Sequence, residues 1–227
     1  MTKGCKPICI MDTDSLLFSF KLECPPVRAI NRISRHFDLF FPYKVLEESK
    51  NNIKGKNGRI YDDVKFNIDL FFKRKIKENR VFTEDVYSNC LKHIHRWFNL
   101  IEEEEKYYTL GDGEKHCVAL GLYLSRIKKE SLIVITDDFR AINAGFANFV
   151  AGQRVGLISS LIGTMLFIYF INKDISELRI RGIVNDYFMM NRPEHFDFEQ
   201  YKMGILKDIK LSCRVQSFDD CKIHCLA

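Results

Sequence analysis

The sequence predicts an α/β fold, a three-layer sandwich around a central, mostly parallel sheet. Three observations carry that prediction. Residues 7–12 (PICIMD) and 132–135 (LIVI) are short apolar runs, the pattern of strands covered on both faces. Each is followed at once by a helical stretch, TDSLLFSF at 13–20 and FRAINAGF at 139–146, so strand and helix alternate as in parallel α/β proteins. The chain of 227 residues is 46% apolar, with only 12 Gly and 5 Pro. It can therefore bury a sizeable core, and disordered and collagen-like classes are excluded.

The elements follow in order. The first strand stops at Asp12, and Thr13, Asp14 and Ser15 are each able to cap the helix that follows, because their oxygens accept from first-turn N–H groups. Pro25 and Pro26 break the chain. Residues 27–36 predict a second helix and Asp38–Pro42 (DLFFP) a short strand. A helix begins at 45–49 (VLEES), and the Asn-, Lys- and Gly-rich 50–60 reads as a loop. Residues 63–80 and 83–105 read as two helices. The second carries Val86, Cys90, Leu91, Ile94, Trp97, Phe98 and Ile101 at helical spacing, which makes its aromatics core residues. Its acidic end, 102–105, reads as a solvated, frayed terminus. Gly111 and Gly113 precede a helix over 111–130 whose apolar face holds Val118, Leu120, Leu122 and Leu124. A further strand–helix pair fits 150–172, and 173–227 alternates short helices with polar loops. The expected organisation is one domain over 1–172, a helical insertion at about 50–109, and a C-terminal extension over 173–227. No internal repeat is visible.

Residues 155–171 (VGLISSLIGTMLFIYFI) lack charge for 17 positions, close to the lower limit for a membrane span. Two Ser, a Thr and two Gly dilute the run, so it reads as a buried strand and helix, with no membrane partner. Eight cysteines without a CxxC pair, and no signal-like N-terminus, predict reduced thiols in a cytoplasmic protein. Cys221, His224 and Cys225 lie close together but have no second ligand pair nearby, and read as tail residues. Lys plus Arg is 35 against 30 Asp plus Glu, a net charge of +5. That excess permits a polyanionic partner without requiring one.

Chemistry concentrates in the acids. In open parallel sheets, sites form at the carboxyl ends of the strands. Two predicted strands end there in acids, Asp12 (with Asp14 two residues on) and the pair Asp137–Asp138. Glu114 opens a helix after a glycine turn, and Glu47 or Glu48 lies in an early turn after the DLFFP strand. Each has an ordinary explanation as a cap or a partner of a helix dipole. Carboxylates gathered at one edge repel, so their pKa values rise or a cation neutralises them. Hard divalent cations, Mg²⁺ or Mn²⁺, suit such oxygen ligands, and two of them can activate water and stabilise the leaving oxygen of a phosphodiester. The basic runs 50–59 (KNNIKGKNGR) and 73–80 (KRKIKENR) are candidates for holding the substrate's phosphates. Lys73, Arg74, Lys75 and Arg140 are the named candidates, against the alternative of a solvated face.

These blocks resemble the PIN-domain nuclease family. The resemblance rests on ICIMDTDSLLFSF (8–20), VLEE after FFP (45–48), LGDGEKHCVALGLYL (110–124) and IVITDDFRAINAG (133–145). They occur in the family's order and span about residues 7–172. The resemblance implies a PIN-like three-layer fold and metal ligands at Asp12, Glu48, Glu114 and Asp138. Glu48 fits the second position better than Glu47, and Asp138 fits the T-x-D form better than Asp137, which joins the catalytic set. Asp14 stands where the family usually has Asn or Ser, and Thr13 and Thr136 are accessory hydroxyls able to orient ligands or waters. The gap of 66 residues between Glu48 and Glu114, and the extension after 173, exceed what the compact members need.

The resemblance further implies a Mg²⁺- or Mn²⁺-dependent endoribonuclease, of the kind found as a toxin or defence effector. Its partners would be RNA, an antitoxin or other regulatory protein, and a second copy in a homodimer. The alternatives are a PIN-like nuclease acting on DNA and a catalytically weak PIN-fold interaction module. A phosphatase or phosphotransfer receiver fits less well, because no Lys stands at a later strand end.

Overall fold

The computed structural model describes residues 6–24, 27–54, 63–104, 111–129, 132–138, 149–171, 175–190 and 198–211. In chain order the elements are β1 (Ile8–Met11), α1 (Thr13–Lys21), β2 (Glu23–Cys24), β3 (Val27–Arg28), α2 (Ala29–His36), β4 (Asp38–Pro42), α3 (Tyr43–Lys54), α4 (Lys65–Lys77), β5 (Val81–Phe82), α5 (Glu84–Glu104), α6 (Asp112–Lys128), β6 (Leu132–Ile135), β7 (Gly156–Ser159), α7 (Leu161–Ile171), α8 (Glu177–Met190) and α9 (Phe198–Leu211). Five strands form one sheet in the order β5-β4-β1-β6-β7, and every pairing in it is parallel. The chain is thus an α/β protein. Connections run outward from β1 to β5, then return across to β6 and β7. Right-handed crossovers in opposite directions place their helices on opposite faces of the sheet.

β1 and β6 form because four consecutive apolar residues in each can be buried on both faces. Their register sets Cys9 against Ile133 and Met11 against Ile135. α6 packs across β1, β4 and β6, and α5 packs on α6. β4 places Phe41 in an edge-to-face cluster with Phe71 and Phe72 of α4, each ring centre 5.6 Å away. Such pairs contribute about 0.5–1.5 kcal/mol beyond area burial, and they dock α4 on the sheet. α8 joins the same core through Ile180, Ile183, Val184, Tyr187 and Phe188.

Several expectations are corrected. The cap of α1 is Asp12, not Thr13, Asp14 or Ser15: its Oδ1 accepts from the Ser15 N–H at 2.8 Å, and its extended backbone serves strand end and N-cap at once. α3 continues to Lys54, so 50–54 is helical, anchored by buried Ile53. Val86 is 36% exposed, while Tyr87 beside it is 1% exposed; non-helical angles at Tyr87 rotate the face there. The edge strand β5 and the β2–β3 ribbon were not anticipated. Two-residue strands carry no readable alternation, and β5 is held by its pairing with Phe41 and Pro42 and by the Arg80–Asp38 ion pair at 2.7 Å.

The 155–171 run divides into a strand and a helix as expected, although β7 is a half-buried edge strand rather than a buried one, and no described helix is long and apolar enough to cross a membrane. Cys9, Cys90 and Cys117 are free, buried thiols. The FRAINAGF helix, Arg140, the 55–60 part of the polar loop and the Cys221, His224, Cys225 group lie outside the described residues.

β7 starts on Gly156 at φ +151°, where an added Cβ would overlap the Leu132 carbonyl. Gly156→Ala is therefore expected to destabilise the protein by about 1–3 kcal/mol, the usual range for such backbone strain. Urea unfolding of the variant against wild type measures it.

Candidate functional site

The strand order reverses between β1 and β6, which makes the crevice beyond their carboxyl ends the topological switch point of the sheet. Because Met11 and Ile135 are partners, the next residues of both strands emerge at one level. The Asp12 N–H bonds the Ile135 carbonyl at 3.0 Å, and the Thr136 N–H bonds the Ser159 carbonyl at 3.0 Å. Asp12 and Asp137 are thereby fixed in the crevice, 2% and 7% exposed.

Two more acids reach the same place from helices. The Thr13 hydroxyl donates to Glu48 Oε2 of α3 at 2.6 Å. That carboxylate lies against the first turn of α6, where a Cβ on Gly113 would come within 2.7 Å of Oε2. A side chain on Gly111 would likewise collide with the Glu114 carboxylate. The G-D-G-E turn therefore makes room for two carboxylates. One residue further on from Lys115, the His116 Nδ1 and the Tyr87 hydroxyl hydrogen-bond at 2.8 Å, which fixes the start of α6 against the bend in α5.

The oxygens of Asp12 and Asp137 are used unequally. Asp12 Oδ1 caps α1. Asp137 Oδ1 accepts from the Leu161 N–H at 2.9 Å and from the Tyr187 hydroxyl at 2.7 Å. Oδ2 of each is buried without a well-aligned hydrogen bond, and the Ser15 hydroxyl, buried beside them, lies close enough to lower both pKa values somewhat. Asp138 is half-buried, and its N–H bonds Thr136 Oγ1 at 3.2 Å.

Burial, then the neighbouring charge of Asp137, holds the Asp12 carboxyl well above the ordinary carboxylate range. Burial raises Asp137 too, opposed by the donors Tyr187 and Leu161. Burial raises Glu114; its own backbone N–H opposes this, and Asp138, Asp14 and Glu48 add to it. These couplings show that Asp12, Asp14, Glu48, Glu114, Asp137 and Asp138 share one electrostatic neighbourhood. Glu47 faces solvent.

The donor set is made of carboxylate oxygens, the ligand type that suits a hard divalent cation. As the side chains stand, no three His, Cys, Asp or Glu residues among those described form a ready metal-holding group.

The basic candidates lie elsewhere. Lys75 is 7% exposed, pairs with Glu78 at 3.0 Å and sits over the Phe71 ring. It is a core-edge residue and no phosphate contact, because it shares the helical face of Ile68, Phe71 and Phe72. Lys73 and Arg74 are exposed. Arg74 lines a cleft of about 600 Å³ with Phe20, Arg28, Asn31 and Leu70. That cleft lies at the far end of α1 from Asp12, roughly 10 Å along the helix at 1.5 Å per residue.

Tyr187 is the site residue that sequence reasoning missed. Its spacing with Ile180, Ile183, Val184 and Phe188 marks an apolar helix face, but nothing local marks its hydroxyl as a partner of Asp137. The fold and site define a parallel α/β protein with an acidic cluster at its switch point. No family model, curated protein or solved structure matches the chain.

A raised carboxyl pKa makes the native state bind protons more tightly than the unfolded chain. Its contribution to stability is full below the unfolded value near 4 and is lost as pH rises through the native value. In EDTA, Asp12→Asn should therefore melt above wild type at pH 8, with the gap closing toward pH 4. A gain of about 1 kcal/mol corresponds to roughly 2–4 °C in a chain of this size. Melting curves across pH test this, and coincident curves at pH 8 would show that the buried charge imposes no cost.

Proposed function

We propose that this chain is a PIN-like, divalent-cation-dependent nuclease that hydrolyses RNA phosphodiester bonds. The observation that carries the reading is the pair of buried Asp12 and Asp137 carboxylates, each with an uncommitted Oδ2, at the β1/β6 switch point. Glu48, Glu114 and Asp138 stand in the same negative neighbourhood, and the block order resembles that family. Mg²⁺ or Mn²⁺ held by Asp12, Glu48, Glu114 and Asp137 or Asp138 would neutralise the acids, acidify a water and polarise a phosphoryl oxygen.

The chain's own residues prepare that site. The Asp12 backbone is fixed by its strand bond and one carboxylate oxygen by its cap bond, which leaves the second oxygen without a hydrogen-bond partner. Thr13 holds Glu48 by one oxygen. Asp137 ties β6 to α7 and α8; this makes it a support for the site and Asp138 the more accessible acid. Burial of the β1 and β6 ends keeps bulk water from competing at Asp12. Lys73 and Arg74 are exposed cations away from the acids, Arg74 paired with Glu78, and are the candidates for holding a distal part of the strand.

A PIN-fold binding module is the second reading, favoured by the absence of a ready three-ligand group among the described residues. Labelled RNA and single-stranded DNA, incubated with Mn²⁺, Mg²⁺ or EDTA, separate the two. Cation-dependent RNA cleavage is expected. Asp12→Asn and Asp138→Asn should each lose at least about 100-fold in rate, since even groups that merely orient a metal ligand are worth 10–100-fold. RNA binding without cleavage in any cation would favour the module, and DNA cleavage alone would reassign the substrate.

Removing Lys73 and Arg74 together should weaken RNA binding. It should also reduce the slope of log K against log salt by about 1.4, two contacts at roughly 0.7 each for a single strand. A salt titration with both proteins measures the difference, and an unchanged slope would make these residues ordinary surface charges.

A further inference from the structure

We propose that Tyr187, delivered by α8 from outside the strand–helix pattern of the sheet, is the positioning residue that fixes which oxygen of Asp137 remains open to a cation. The inference rests on the cation-site reading above and adds to it a specific role for the C-terminal segment.

Asp137 Oδ1 receives two donors, the Leu161 N–H at 2.9 Å and the Tyr187 hydroxyl at 2.7 Å. Oδ2 receives none and is buried. A carboxylate held by one donor can turn about its Cβ–Cγ bond and exchange its oxygens. Two donors arriving from different helices on one oxygen oppose that turn. The Leu161 N–H belongs to the backbone of α7 and is fixed by the fold, so Tyr187 is the side chain that decides the orientation. Its ring is fully buried, and a Phe would fill the same space. A hydroxyl there satisfies itself with a carboxylate acceptor, and a hydrogen bond to an ionised group is about twice as strong as a neutral one. The neighbouring Ser15 hydroxyl also lowers the Asp137 pKa but has no well-aligned hydrogen bond to it, so Tyr187 is the side chain with a formed bond to this carboxylate.

The consequence is reciprocal coupling. If α8 docking orders Asp137 for a cation, the cation strengthens α8 docking by the same factor. α8 then belongs to the site rather than to an appendage.

The test measures Mn²⁺ affinity of the full chain by calorimetry for wild type, Tyr187→Phe and Ile183→Val. Ile183 is buried on the same helix, and trimming it loosens α8 without removing a donor from Asp137. Tyr187→Phe is expected to weaken Mn²⁺ by about 10-fold or more, the usual effect of losing a group that orients a metal ligand, with Ile183→Val near wild type. Hydrogen exchange at α8 amides should slow on adding Mn²⁺ in wild type and not in Tyr187→Phe. Wild-type affinity in Tyr187→Phe would overturn the role and leave the cation site standing. Equal weakening in Ile183→Val would transfer the effect to helix docking and overturn the hydroxyl's part. No Mn²⁺ uptake by wild type would overturn the cation reading and this inference with it.

Discussion

Burial of carboxylate charge at the end of β1 is the constraint on which the rest of the site depends. The parallel register brings Met11 level with Ile135, so the acids that follow both strands enter one dry crevice. An ionised carboxylate taken out of water costs several kcal/mol unless it is paired and hydrogen-bonded. The surrounding structure is organised around that cost. Asp12 gives one oxygen to α1, Asp137 gives one to α7 and α8, and Glu48 gives one to Thr13. Glycines at 111 and 113 keep side chains out of the space that the Glu114 and Glu48 carboxylates occupy.

Helix N-termini supply the nearest compensation. α1 begins at Asp12, α6 carries Glu114 in its first turn, and α7 offers the Leu161 N–H to Asp137. Each terminus is equivalent to roughly half a positive charge. Three of them converge on this end of the sheet, which explains how a fold with no Lys or Arg immediately beside residues 12–14 or 136–138 tolerates so many acids. The compensation is partial, because Asp12, Glu114 and Asp137 all remain above their ordinary pKa.

What was legible in the sequence follows from which signals are local. β1 and β6 were legible because burial on both faces writes itself as consecutive apolar letters. The acids at their ends were legible because strand ends can be counted. β5 was hidden, since two residues have no period and its place is set by partners in β4. The cap on α1 lies one to three residues before Thr13, Asp14 and Ser15, because Asp12 ends a strand and starts a helix at once. Lys75 looked like part of a basic run by composition. The spacing of Ile68, Phe71, Phe72 and Lys75 shows it on the buried face, so the helical period held the better signal. Tyr187 was beyond local reading, because its partner stands 50 residues earlier in the chain.

The remaining charge sets the chemical question at this site. Six acids share the neighbourhood, and three helix termini offset at most about 1.5 charges. The balance can be met by protons or by cations. Protons satisfy it one carboxyl at a time and leave a site that is neutral, dry and chemically inert toward phosphate. A divalent cation satisfies it with two charges at once and keeps the oxygens ionised as ligands. The two outcomes place different demands on geometry. Protonated acids gain from pairing with one another or with Ser15, whose hydroxyl lies beside both, while Oδ2 of Asp12 and of Asp137 is buried without a well-aligned hydrogen bond. An arrangement that keeps oxygens uncommitted while fixing their opposite numbers by strand, helix and tyrosine is suited to a ligand that needs bare oxygen. This asymmetry between the two oxygens of each acid, more than the number of acids, is the feature on which the proposed cation reading rests.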